Sequence, residues 1–281
     1  KPLIVALNKV DWFSSIEADA IATSIAGKTC VPREDIVFIQ TGGHEEVVRL
    51  LSDGGEEAVT RERNKDIEPL RHALQRKIEH GIFGYERASQ SLLETVAGRM
   101  NKLYGWQVEP EMVVAVPGIV SAFYAAAPSV CEPGQGVLIQ PPVYPPFLCL
   151  PDDIGLVQQN APLEAIRDEH NLHYQVDMDG FSSAFNQENV ETGMFLLCNP
   201  HNPTGNSFSP ETLSQMAEIC LQNHAVICSD EIHSELLLGE TRFTPIASLS
   251  TDIGNQRITL VAPSKTFNIA GLFCGFAIIP N

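Results

Sequence analysis

The chain has 281 residues and a formal net charge of −17, with 44% hydrophobic and 19% charged side chains. That length can bury one large core or two smaller ones, and the composition excludes a disordered chain. Residues 1–64 carry −4 and residues 65–281 carry −13, so neither nucleic acid nor an anionic membrane surface is an expected partner.

In chain order, the opening reads as a strand at Leu3–Leu7, an amphipathic helix near Ile16–Ile25, a strand at Ile36–Gln40 and a helix near Glu45–Leu51. Ser52–Asp66 is rich in Gly, Glu and Arg without an apolar period, and reads as a linker. Residues 1–64 are therefore expected to be an N-terminal segment with its linker, and 65–281 a second domain. Ile67, Leu70, Leu74 and Ile78 repeat at helical spacing up to Gly81, and a further helix sets Leu92, Leu93, Val96, Met100 and Leu103 on one face.

Apolar runs of strand length follow at Val113–Val116, Val137–Gln140, Phe195–Leu197, Ala225–Cys228, Ile258–Val261 and Phe276–Ile279. The uncharged run Met112–Cys131 is long enough to cross a bilayer, but Pro117, Gly118, Ser121 and Pro128 make it a strand, a turn and a helix. A helix over Leu213–Leu221 has Ser209 as its N-cap and Pro210 at its first position. Apolar strands alternating with helices predict an α/β domain with a mostly parallel sheet and flanking helices.

Seven dispersed cysteines without a C-x-x-C pair argue against a disulfide framework or a zinc site, and for small core residues in a reducing, cytoplasmic compartment. His170 and His173 have ligand spacing but no third ligand nearby, and read as solvated loop residues. The chain begins at Lys1, shows no signal peptide, and is expected to be a piece of a longer one.

Four segments carry chemistry, each just past a strand. Lys265, in Ala262-Pro263-Ser264-Lys265-Thr266, is the one basic residue from Thr259 to Asn281. A lysine among neutral groups can lose its proton and act as an amine nucleophile. Asp230 follows the run Ala225–Cys228, and ligands of open α/β sheets bind beyond the carboxyl ends of strands. An acid there caps a helix or keeps a pyridinium nitrogen protonated. Asn199-Pro200-His201-Asn202-Pro203-Thr204-Gly205 fixes a loop, and Pro117-Gly118-Ile119-Val120 opens a helix whose amides suit a phosphate.

Asn202, Asp230 and Lys265 follow one another at 28 and 35 residues. With HGIFGYE at 80–86, EPGQGVLIQPPVYPPF at 132–147, LLCNPHNPTG at 196–205, SDEIHSELLLG at 229–239 and APSKTFNIAGL at 262–272, the chain resembles the fold-type-I pyridoxal-phosphate enzymes. Within that superfamily it is most similar to the MalY/PatB group of cystathionine β-lyases, over about residues 67–281. The resemblance implies pyridoxal 5′-phosphate as cofactor, the large domain of a PLP-dependent transferase-like fold, and a homodimer with shared sites. It implies Lys265 as the attachment and proton-transfer residue, Asp230 against the pyridine nitrogen, and Asn202 and His233 near the phenolic oxygen. Tyr144 would stack on the ring. Gly118, Ile119, Val120 and Ser264 would hold the phosphate, joined by Tyr85 reaching the neighbouring subunit.

The implied reaction is α,β-elimination on a cysteine thioether, with transamination at the same site or an inactive fused fragment as alternatives. Ala262 and Phe273 stand where many aminotransferases have a phosphate-binding Ser and Arg. The family's small C-terminal domain, with the arginine that grips the substrate carboxylate, is expected to be missing from these 281 residues, leaving weak cofactor binding and poor turnover. At the other end, Asn8-Lys9-Val10-Asp11 looks like the guanine-reading motif of translation-factor GTPases, with Ile39–Gly43 echoing the next loop, or is a chance match of four residues. Gly27-Lys28-Thr29 mimics a P-loop end, but Ala22 replaces its first glycine, so GTP hydrolysis is not expected.

Overall fold

The computed structural model describes residues 3–7, 36–40, 55–167, 172–237, 241–250, 253 and 256–280. The expected helices at Ile16–Ile25 and Glu45–Leu51, the Asn8–Asp11 motif, Gly27–Thr29 and His170 lie outside them.

The chain divides into two compact units, Lys1–Glu86 and Arg87–Asn281. In the first, β1 (Leu3–Leu7) pairs in parallel with β2 (Ile36–Gln40). Helix α1 runs from Gly55 to His80, so the expected linker is helical from Gly55 onward. Glu, Ala, Arg and Lys are strong helix formers, and in GEEAVTRERNK propensity acts without the apolar period that the sequence reading required. Gly81 ends the helix at φ 72°, its amide donating to the Lys77 carbonyl at 3.2 Å.

The second unit opens with α2 (Gln90–Tyr104), capped by the Ser89 hydroxyl on the Leu92 amide and closed by Gly105 in the left-handed region. Then come β3 (Val113–Val116), α3 (Ile119–Val130), β4 (Gly136–Ile139), α4 (Pro145–Ile154) and β5 (Val157–Asn160). A hairpin of β6 (Leu163–Arg167) and β7 (Leu172–Val176) leads through α5 (Met178–Ser183) to β8 (Thr192–Cys198). After these are α6 (Pro210–Gln222), β9 (Val226–Asp230), β10 (Arg257–Val261), the short α7 (Pro263–Thr266) and β11 (Gly275–Ile278). Seven strands form one sheet in the order β3-β11-β10-β9-β8-β4-β5, parallel except for β11, which runs against both its neighbours. The predicted α/β class with a mostly parallel sheet and flanking helices is what the molecule has.

Strands buried on both faces must be apolar at every position. In β4, Val137 and Ile139 face a core shared with Phe123, Ala126 and Ala127 of α3 and Phe147 of α4. Leu138 faces the other core, with Phe195, Leu197 and the α6 residues Leu213, Met216 and Cys220. A third cluster packs Val96, Ala97 and Met100 of α2 on Trp106, Val261, Phe276 and Ile278. Helix α6 starts as expected: the Ser209 hydroxyl accepts from the Thr212 amide at 3.2 Å and Pro210 occupies the first turn. Of the six described cysteines, Cys131, Cys198, Cys220 and Cys228 are buried as core residues, but Cys149 is exposed on the outer face of α4.

Candidate active site

The parallel register aligns Cys198, Asp230 and Leu260 at the carboxyl ends of three adjacent strands, β8, β9 and β10. Each strand then releases one predicted segment at the same edge of the sheet. Past β8 comes the Asn199–Gly205 loop, past β9 the turn with His233, and past β10 helix α7 with Ser264 and Lys265. The loop is bound to the strands: the Asn199 amide donates to the Asp230 carbonyl at 3.0 Å, and the Asn202 amide to the Cys198 sulfur at 3.3 Å.

Asp230 is 6% exposed, and its Oδ1 accepts from the Ile232 amide at 3.1 Å. Burial raises its pKa to about 7, opposed by that amide and by the charge on Lys265. His233 is pushed below its ordinary value by burial and then by Lys265, while a hydrogen bond to the Pro200 carbonyl pulls the other way. The Lys265 charge contributes to both shifts, and the segments of all three residues leave the sheet at one edge. Ser264 is buried beside the half-buried Lys265.

On the far side of β11, Gly118 caps α3, and the first amide of that helix to find a carbonyl is Ala122, on Gly118 at 3.0 Å. The amides of Ile119 and Val120 precede the first intrahelical bond and are free to meet an anion. The turn needs its glycine neighbour in β11. A Cβ on Gly275 would lie 3.2 Å from Ile119 Cδ1 and 3.3 Å from Val116 Cγ2, and one on Gly118 would meet open space. Tyr144 stands at the start of α4, half-buried against the core around Phe147. Tyr85 belongs to the first unit, where its ring is fully exposed.

The donors suit a phosphorylated pyridine. A buried carboxyl without a salt bridge among the described residues suits a protonated ring nitrogen, free helix amides suit a phosphate, and the amine of Lys265 suits an aldehyde.

A family model described as aminotransferase class I and II matches residues 52–281. The chain belongs to that family. Cystathionine beta-lyase PatB of Bacillus subtilis is 41% identical over 214 residues, covering 76% of this chain and 54% of the relative. An asparagine–oxo-acid transaminase of Streptococcus mutans is 26% identical, over 74% of the chain and 52% of that protein. The structure of a PLP-bound C–S lyase from Staphylococcus hominis superimposes with a TM-score of 0.68 at 30% identity, over 75% of this chain and 52% of that one. The chain therefore spans about half the length of the curated relatives it matches. The expected cofactor, pyridoxal 5′-phosphate, is the group that the solved lyase carries.

Several polar groups around this aminotransferase-family site tie its segments together. Glu231 Oε1 accepts from the Ser229 hydroxyl at 3.0 Å and the Ile246 amide at 3.3 Å, and burial pushes its pKa up against the pull of those bonds and of Arg257. Arg257 stacks over Trp106 at 5.1 Å with Nε and Nη1 unpaired among the described residues. Arg99 forks onto Glu235 and lies 5.6 Å from the Phe267 ring, bracing the turn after β9 and the segment after Lys265. Glu231 and Glu235 fall within the SDEIHSELLLG run, whereas Arg99 and Arg257 lie in no motif and carried no sequence signal. Among the described residues no metal-binding cluster occurs, and no helix is long and apolar enough to cross a membrane.

Proposed function

We propose that this chain supplies the cofactor-binding part of a PLP-dependent C–S lyase acting by α,β-elimination on cysteine thioethers such as cystathionine. The observation that carries the reading is Asp230: a carboxyl buried at a strand end, raised to about 7, within the field of Lys265. Such an acid is stabilised by a cation placed against it.

Pyridoxal 5′-phosphate, when bound, supplies an electron sink for the pair left at Cα when a proton departs. Asp230 holds a proton at the pyridine nitrogen. Asn202 and His233 would meet the phenolic oxygen, and Tyr144 would stack on the ring. The amides of Gly118, Ile119 and Val120 and the Ser264 hydroxyl grip the phosphate. Lys265 would supply the amine for the cofactor aldehyde and, when free, the base for the α-proton of the substrate. Loss of the Cβ–S bond would release the thiolate, which takes up a proton as the thiol, and water would hydrolyse the remaining enamine skeleton to pyruvate and ammonia. Tyr85 completes the phosphate grip across a homodimer, which light scattering tests directly. The free buried thiols support a reducing, cytoplasmic setting, which fractionation of the native host cells would check.

Transamination is the second reading, favoured by the transaminase relative. Incubation with cystathionine and, separately, with an amino acid and a keto acid separates the two. Pyruvate with free thiol supports the lyase. A new amino acid without pyruvate replaces it with the transaminase, and neither product overturns both.

A further inference from the structure

The loop after β8 holds a buried ionisable side chain to which the cofactor reading gives no task. His201 is 2% exposed, and both its ring nitrogens have partners on different segments. Nε2 lies 3.2 Å from the backbone carbonyl of Gln140, directly past β4, and Nδ1 lies 3.2 Å from the Thr204 hydroxyl. A carbonyl can only accept, so Nε2 carries the proton and Nδ1 accepts from Thr204. The ring stands edge-on to Phe208 at 5.9 Å between centroids.

The backbone of the same residue closes the loop. Its amide donates to the Asn206 carbonyl at 2.6 Å, and its carbonyl accepts from the Gly205 amide at 2.8 Å. The Asn199 side chain does likewise, its Oδ1 accepting from the Phe208 amide at 3.1 Å. The loop is thus anchored to β8 through Cys198, to β9 through Asp230, and to the end of β4 through the His201 ring. Four residues beyond Gln140 stands Tyr144, and one residue beyond His201 stands Asn202.

We infer that His201 is a positioning residue, whose imidazole pins the segment presenting Asn202 against the segment presenting Tyr144. The inference rests on the cofactor reading above, in which those two side chains meet the ring at its edge and its face. The ring donates from Nε2 across to the Gln140 carbonyl and accepts at Nδ1 within its own loop, so a donor at that reach ties the two segments together. Burial pushes the imidazole pKa down to about 4, so the bridge keeps one protonation state across the physiological range.

Two measurements test this. In the unmodified protein, nitrogen-15 NMR of the imidazole should show the neutral Nε2–H tautomer, unchanged from pH 5 to pH 8, with or without cofactor. An Nδ1–H tautomer, or titration within that range, overturns the inference. Second, His201→Phe keeps the ring volume and the Phe208 contact but removes both hydrogen bonds, leaving the Gln140 carbonyl unpaired. It should raise the dissociation constant for pyridoxal 5′-phosphate about tenfold and displace the visible absorption maximum, whereas His201→Gln, which keeps a donor, stays within about threefold of wild type.

A folded His201→Phe protein with unaltered affinity and spectrum overturns the inference. If that variant does not fold, Thr204→Val, which removes only the Nδ1 partner, decides. A displaced spectrum in the folded protein supports the bridge, and an unaltered one rejects it. Wild-type protein that takes up no cofactor rejects the cofactor reading instead, and the tautomer measured in the cofactor-free protein then decides the hydrogen bonding of His201.

Discussion

Asp230→Asn should separate the stability of the site from its function. In the cofactor-free protein, the rise in the Asp230 pKa from 3.8 to about 7 corresponds to ~4 kcal/mol against the ionised, folded form. The folded state binds the proton more tightly than the unfolded state, so stability is lost as pH climbs from the unfolded value through the folded one. At pH 5 only ~1–2 kcal/mol of this is present, and by pH 8 all of it is. Asn keeps the shape and the acceptor for the Ile232 amide but cannot ionise. Whatever its fixed cost, the stability of Asp230→Asn relative to wild type should improve by ~2–3 kcal/mol between pH 5 and pH 8. Urea unfolding followed by Trp106 fluorescence in a Trp12→Phe background measures the difference. Saturating pyridoxal 5′-phosphate should flatten the wild-type profile and leave that of the variant unaltered. Parallel profiles for the two proteins without cofactor would refute the assignment of Asp230 as a buried acid awaiting a cation.

Borohydride reduction of the cofactor-loaded protein should label Lys265, and Lys265→Ala should abolish the label; peptide mapping that finds the adduct on another lysine refutes the attachment site. Phe123, fully buried between Tyr124 and Phe147, should cost ~3–5 kcal/mol when truncated to Ala, and a loss under 1 kcal/mol in urea unfolding would contradict its place in the core. A Cβ on Gly136 would fall 1.8 Å from Gln159 Oε1, which the Thr192 hydroxyl holds at 2.8 Å. Gly136→Ala should therefore destabilise by ~1–3 kcal/mol, and adding Gln159→Ala should recover part of that; a double variant no better than the single one sinks the steric account.

What was legible in the sequence was what local chemistry writes twice. Asp230 and Lys265 follow strands apolar at nearly every position, and a strand buried on both faces leaves no other pattern. Ser209 and Pro210 announced α6 because a cap and a first-turn proline serve the same helix end. Strand β5, with the sequence VQQN, passed unseen: Gln159 is buried only because it meets Thr192 and the Ala184 carbonyl, partners that no local pattern reveals. Helix α4 was not among the expected elements: it opens on Pro145 and Pro146, which are tolerated in a first turn but carry no apolar period. The hairpin β6–β7 carries Glu164 opposite Gln175 on an exposed face, so its alternation is weak. In the site, the motif residues were identifiable but the links between them were not. Nothing in Asn-Pro-His-Asn-Pro states that the histidine reaches Gln140, 61 residues upstream.

The antiparallel strand β11 sits between β3 and β10, so the described neighbour of β3 in the sheet is a segment roughly 160 residues later in the chain. As the polypeptide leaves the ribosome, β3 and the apolar face of α2 exist long before Phe276 and Ile278 arrive to cover them. Non-local pairings of this kind close slowly, and an open strand edge beside exposed Met100, Trp106 and Val113 is a target for self-association. Vectorial synthesis therefore gives this sheet a waiting period that ends only when residues 275–278 emerge. A nascent chain arrested before that point should bind a holdase chaperone, and one arrested well after it should not.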